Sequence, residues 1–265
     1  MTNDLLVDKT DGVATITFNR PEARNAVSME MRSALIDSML EIERDESIRC
    51  VVLRGAGDNF MAGGDLKNFA ELAQLPPEER YSHFERRIHT IQPLLISMQR
   101  MQKPVIAVVQ GAAAGFGFSL AMACDMVVAA DNARFASSYV GIGASPDGSG
   151  SYYLPRLVGL RRAMEIAMLG DFIDAPSALE MGLVNRVVGE AELEQEAQTL
   201  IKRLSRAPTI ALGQIKGLMY ASSENSLEAQ MSREAESFAE CTASEDWVEG
   251  VIAFNEKRRP QYRGR

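Results

Sequence analysis

Residues 105–130 read VIAVVQGAAAGFGFSLAMACDMVVAA. The opening VIAVVQ (105–110) is a short, continuous apolar run, the composition of a strand buried on both faces. Gly111, Gly115 and Gly117 then mark a turn, a buried helix of small and apolar residues follows, and MVVAA (126–130) is a further buried strand. The stretch is apolar enough to suggest a membrane span, which needs about 20 consecutive apolar residues. Gln110, Ser119 and Asp125 interrupt it, however, and the three glycines break any spanning helix. Strand, glycine-rich turn, helix and strand together make a β/α unit.

The same pattern extends in both directions. CVVLRG (50–55) is another continuous apolar run ending in Gly, followed by the loop FMAGGDLK (60–67). Residues 5–9 and 13–18 alternate around Asp11-Gly12, which predicts an amino-terminal hairpin. Ser28 is a candidate N-cap for a helix running to about Asp45. Pro76-Pro77 opens a polar stretch, 76–87, expected to be exposed, and a helix then reaches about Met101. From about Glu190 the pattern is helical, with breaks at Pro208 and near Ser222-Ser223. The expected class is α/β, with a β/α core over residues 1–190 and a helical region over 191–265.

Composition narrows the function classes. The 265 residues carry 28 basic and 36 acidic side chains, a net charge of −8. Such a chain is repelled by phosphate backbones and anionic membranes, so neither is an expected partner. Two histidines and three cysteines leave little metal-binding capacity, and no metal is expected. Cys50, Cys124 and Cys241 lie among apolar residues without CxxC spacing and read as buried, reduced thiols. Reduced thiols fit a cytoplasmic protein. The start MTNDLLVDKT lacks the basic and apolar regions of a signal peptide, so no leader is expected.

Two glycine-rich turns follow predicted strands, Ala62-Gly63-Gly64-Asp65 and Gly115-Phe116-Gly117. Glycine lets a backbone approach a ligand closely. The first N–H groups of a helix have no intrahelical acceptor and attract negative charge. Facing each other, the two turns would offer paired donors to one oxyanion, each worth about 2.7–4 kcal/mol in a transition state. Either turn alone is equally readable as an ordinary connection.

Five segments occur in order: FNRPEARNAVS (18–28), FMAGGDLK (60–67), KPVIAVVQGAAAGFGFSLAMACD (103–125), the GIG…LPRLVG region (141–159) and FNEKRRP (254–260). Together they resemble the enoyl-CoA hydratase/isomerase, or crotonase, family over nearly the whole chain. The resemblance implies a spiral β/α core of ββα repeats with a C-terminal helical trimerisation region, assembled as a homotrimer or dimer of trimers. It implies an acyl-CoA substrate and no separate cofactor, coenzyme A being part of the substrate. By position, the oxyanion donors would be the N–H groups of Gly64 and Phe116, with the Phe116 ring turned away from the thioester oxygen or narrowing the pocket. Ala23, Arg24 and the loop Ala62, Gly64, Asp65, Leu66 and Lys67 would hold the pantetheine and adenine. Phe254 and Lys257 match C-terminal contacts to coenzyme A that often come from a neighbouring subunit. The tail's Lys257, Arg258, Arg259, Arg263 and Arg265 are a solvated terminus or, for one or two of them, phosphate contacts.

The sequence departs from the family where hydratases carry two glutamates. Those positions hold Ser119 and Tyr139. Neither can serve as a base near neutral pH, since Ser does not ionise and Tyr titrates near 10. Asp147 remains, eight residues beyond Tyr139, where several non-hydratase branches carry a functional Asp. In an apolar pocket its carboxyl would be raised and suited to shuttling a proton. It is equally a candidate N-cap for a helix beginning near Gly148. Tyr139 is read as lining the pocket, Ser119 as packed beside it, and Asp65 as the cap of a helix over 66–73. His83 and His89 are read as surface residues, and Gln92 stands where dehalogenases of the family carry a catalytic His. The expected activity is isomerase-type chemistry with one carboxylate. The alternatives are a hydratase for a branched or carboxylated enoyl-CoA, and a catalytically silent CoA-binding scaffold.

Overall fold

In the computed structural model, which describes residues 3–265, the apolar runs become the centre of one six-stranded sheet. Along the chain, β1 (Leu5–Thr10) and β2 (Val13–Phe18) form the hairpin, and α1 (Met29–Arg44) leads to β3 (Cys50–Gly55). Helices α2 (Leu66–Leu72) and α3 (Pro77–Arg100) precede β4 (Val105–Val109). Then come β5 (Ala112–Ala114), α4 (Phe116–Met122), β6 (Met126–Ala130) and β7 (Arg134–Ala136). α5 (Gly150–Val158), α6 (Leu160–Leu169), β8 (Ile173–Asp174), α7 (Ala175–Glu180) and β9 (Arg186–Val188) follow. α8 (Leu193–Ser205), α9 (Thr209–Ala221), α10 (Leu227–Thr242) and α11 (Glu245–Asn255) close the chain.

The sheet order is β1-β2-β3-β4-β6-β9, antiparallel in the hairpin and parallel from β2 onward. Alternation sorts the central strands onto two faces. Val51, Leu53, Val105, Ala107 and Val109 join the main core with α1 and α3. Cys50, Val52, Ile106 and Val108 face Leu193, Ala197, Leu200, Ile201 and Leu204 of α8. Burial on both faces is why these strands read as unbroken apolar runs. A second sheet, β5-β7-β8, lies beyond the carboxyl end of β4. The sequence reading missed it because three alanines carry no strand pattern; β5 is fixed instead by pairing with β7 and with Met61.

Ser28 caps α1 as expected, its Oγ accepting the Met31 N–H at 3.0 Å. The stretch 76–87 is largely exposed as expected, but it is already helical, because α3 begins at Pro77 and runs unbroken through Pro93 to Arg100. Proline is favoured in the first helical turn, and Glu78 and Glu79 favour a helix N-terminus. Residues 256–265 are not helical; they fold back so that Asp246 accepts the N–H groups of Arg263 and Gly264. Cys50 and Cys124 are buried, but Cys241 is half-buried, because α10 packs on one side only. The tail is pinned to the core by Lys216 of α9. Its Nζ donates to Met98 O (2.6 Å), Lys103 O (3.1 Å) and Asp125 Oδ2 (2.7 Å), while Asp125 also accepts from Val105 N and Tyr220 Oη. Among the described residues no helix is long and apolar enough to cross a membrane.

Candidate active site

The two glycine turns meet. Met61 donates to Ala112 O and accepts from Ala114 N, both at 2.9 Å, which lays the loop after β3 alongside β5. Val27 donates to Gly63 O at 2.8 Å and holds the other side of that loop. Gly63 adopts φ +96°, and a Cβ there would lie 3.0 Å from Ala114 O. Gly115 adopts φ +53°, and its Cβ would stand 3.7 Å from Gly63 Cα. Both positions therefore need glycine, for backbone conformation and for the close approach. Phe116 opens α4, so its N–H has no intrahelical acceptor. The Gly64 N–H makes no loop hydrogen bond to a described residue. Both residues line a cavity of about 780 Å³ between α1, α2, α3 and the segment from Ser138 to Asp147. The Phe116 ring is turned against Gly148, where a Cβ would meet it at 2.6 Å, so it walls the cavity on the Asp147 side.

Asp147 and Tyr139 line this cavity, and Ser119 lies behind them. Tyr139 Oη is 2.6 Å from Asp147 Oδ1 and 3.0 Å from Ser119 Oγ. An ionised carboxylate only accepts, so Tyr139 donates to Asp147 and Ser119 donates to Tyr139. Burial pushes the Asp147 carboxyl above the usual range, and the Tyr139 hydrogen bond and the charge of Arg87 only partly oppose it. Burial, with the charge of Asp147, pushes the Tyr139 hydroxyl up as well. The helix-cap reading of Asp147 is corrected. Gly148 and Ser149 both take positive φ, so α5 starts at Gly150 with Ser149 before it and no side-chain cap. Gly150 N donates to the Asp147 backbone oxygen, leaving the carboxylate to Tyr139. Asp147 is the only acid among the described residues lining the cavity.

The remaining candidates separate. Asp65 caps α2 by accepting Lys67 N at 3.1 Å and pairs with Arg20 at 3.0 Å. Burial raises its carboxyl, but Arg20 and the helix N–H groups outweigh this and hold it below the usual range. Ala62 and Leu66 line the cavity, whereas Lys67 is exposed beside it. Ala23 and Arg24 form a strut rather than a wall: Arg24 O accepts the Ala62 N–H at 2.9 Å. Phe254, 83% exposed, and Lys257 stand at the end of α11, where Phe254 borders a smaller cavity of about 310 Å³. Arg258 and Arg265 of the basic tail are paired with Glu249, Glu256 and Glu245. His89 is exposed, but the surface reading of His83 is corrected: it is half-buried against Phe84, with Nε2 buried and without a hydrogen-bond partner among the described residues.

Three residues escaped the sequence reading. Asn25, at φ +57°, is fully buried and ties Arg20 N, Ala56 O and Asn59 O together, bracing the loop after β3. Arg32 and Arg87 both line the cavity. Arg32 was detectable, since it falls on the buried stripe of α1 with Leu35 and Met39.

The enoyl-CoA hydratase/isomerase family model matches residues 8–265. The 1,2-epoxyphenylacetyl-CoA isomerase of Escherichia coli is 38% identical, over 96% of each chain. A 4-chlorobenzoyl coenzyme A dehalogenase of Arthrobacter is 34% identical, over 95% of this chain and 90% of that one. The crystal structure of an enoyl-CoA hydratase from Polaromonas superposes with a TM-score of 0.90 at 37% identity, covering 98% of this chain and 99% of that one. The relatives bear the names of different reactions, yet sequence, fold and the whole length of the chain agree with one another. The protein is an enzyme of the enoyl-CoA hydratase/isomerase family.

Proposed function

We propose that the protein moves a proton between carbons of an enoyl-CoA thioester, with Asp147 as the shuttle. The ionised Asp147 takes a proton from the α- or γ-carbon, and the electron pair moves onto the thioester oxygen as an enolate. The N–H groups of Gly64 and Phe116 hold that oxygen. Asp147, now an acid, returns the proton to the other carbon, and the double bond is displaced with no gain or loss of water. Tyr139 fixes Oδ1 and leaves Oδ2 for the carbon-bound proton.

One observation supports this reading: the cavity that Gly64 and Phe116 line has, among the described residues, a single acid in its lining, and burial raises that acid. Water addition by two carboxylates would need a second. Coenzyme A enters as part of the substrate, with its pantetheine and adenine along Ala23, Arg24 and the loop to Lys67. Phe254 and Lys257 are not among the residues lining the cavity, which supports their acting on a neighbouring copy, in a homotrimer or dimer of trimers. The free cysteines suit work in the cytoplasm.

Asp147→Asn tests the shuttle. The Asn oxygen still accepts from Tyr139, so the fold should persist while turnover falls on the order of 10²–10⁴-fold, the scale of general acid–base catalysis. Undiminished turnover would remove Asp147 from the chemistry.

A further inference from the structure

The acyl cavity of this acidic protein is lined by three arginines, Arg32 from α1 and Arg80 and Arg87 from α3, against one carboxylate. Arg32 is 8% exposed. Its Nη1 donates to the Arg87 backbone oxygen at 3.1 Å, while Nε is buried without a hydrogen-bond partner. Nε is closed off from solvent, so Nη2, which makes no hydrogen bond to a described residue, is the donor that Arg32 can offer an incoming anion. Arg87 Nη1 reaches only Asn68 Oδ1 (3.3 Å) and Met29 Sδ (3.0 Å), and its guanidinium lies 5.1 Å from the Phe69 ring centroid. Neither arginine forms an ion pair with a described carboxylate. Burial disfavours both charges; at Arg87 the charge of Arg32 adds to it and the charges of Asp147 and Asp65 only partly oppose it. Guanidinium cannot escape by losing its proton, so an unpaired, desolvated donor remains a cost until an anion meets it.

The place of this anion relative to the thioester follows from Phe69. Its ring packs on Gly64, where a Cβ would touch it at 2.7 Å, and the same ring carries Arg87. Arg87 thus stands one aromatic ring away from the proposed oxyanion donor, with Arg32 joined to its backbone, among the apolar walls of the cavity. We propose that this cavity selects acyl groups bearing a second, remote carboxylate, held by Arg32 and Arg87. The proposal rests on the acyl-CoA reading above and names its substrate class: CoA monothioesters of short dicarboxylic acids.

Calorimetric titration tests it with succinyl-, glutaryl- and adipyl-CoA, each beside its terminal carboxamide and the straight-chain acyl-CoA of equal length. A charge-assisted hydrogen bond is worth roughly 10- to 100-fold in affinity. For at least one length the carboxylate should bind at least about tenfold tighter than both neutral partners. In Arg32→Gln that preference should collapse to about twofold or less. Equal binding of charged and neutral thioesters at all three lengths would overturn the proposal and leave the acyl-CoA reading intact. Failure of every thioester to bind would overturn both. If Arg32→Gln weakened charged and neutral thioesters equally, the arginine would be serving the phosphates of coenzyme A, and the proposal would fall. Should the variant not fold, the preference of the natural protein decides alone.

Discussion

Tyr139→Phe isolates what the hydroxyl does for Asp147. The hydroxyl hydrogen removed is a 2.6 Å donor to a buried carboxylate. A hydrogen bond to a charged group is worth about 1.5–3 kcal/mol, and here it favours the ionised form alone. Burial already raises the Asp147 carboxyl, so losing the donor raises it further. The base must be ionised to take a proton from carbon, and activity therefore rises with pH through the titration of Asp147. On that acid limb, kcat/KM of the variant should be about 10- to 100-fold lower than that of the natural protein. The deficit should shrink as pH rises and narrow to a few-fold on the plateau. The assay is kcat/KM against pH, with an enoyl-CoA whose double-bond shift is followed by absorbance. A loss of equal size at every pH would mean that Tyr139 only shapes the pocket, and an unchanged profile would refute the coupling altogether.

Two further outcomes concern stability. Lys216→Met removes the ammonium that pairs with Asp125 at 2.7 Å, leaving a largely buried carboxylate with only Val105 N and Tyr220 Oη. Breaking one side of such a pair costs about 3–5 kcal/mol, to be read as a lower urea midpoint; a loss under about 1 kcal/mol would show that the bridge does not anchor α9. Asp147→Asn should alter the pH dependence of folding. The Asp147 carboxyl titrates higher folded than unfolded, so the folded state holds its proton more tightly, and stability falls as pH rises between the two values. The variant's relative stability should therefore climb across that window and level off above it; urea titrations from about pH 3 to 8 would expose a flat difference if burial does not act on this group.

The central strands were legible because parallel strands covered on both faces must be apolar throughout, and Val51 to Leu53 and Val105 to Val109 are. Caps were legible where the signal is local, as at Ser28 and Asp65. β5 was not, because Ala112–Ala114 becomes a strand only through partners more than twenty residues away at β7 and fifty at Met61. That Asp147 does not cap α5 turned on two positive φ angles, at Gly148 and Ser149, which delay the helix and leave the carboxylate to Tyr139. A propensity for capping says nothing about such a delay. Arg32 was passed over for its residue type: its place on the apolar stripe of α1 was the available signal, but a charge there reads as an imperfection until the cavity beside it is seen. The contrast between a net charge of −8 and an arginine-lined cavity has the same origin, since net charge is summed over a surface and recognition is local.

The central claim is that one carboxylate moves a proton and no water is added. Turnover in water labelled with both deuterium and oxygen-18, read by mass spectrometry of the thioester product, tests it most directly. The account predicts deuterium at the α- or γ-carbon and no oxygen-18 in the acyl chain. Oxygen-18 entering the acyl chain at the rate of turnover would contradict it and make the protein a hydratase.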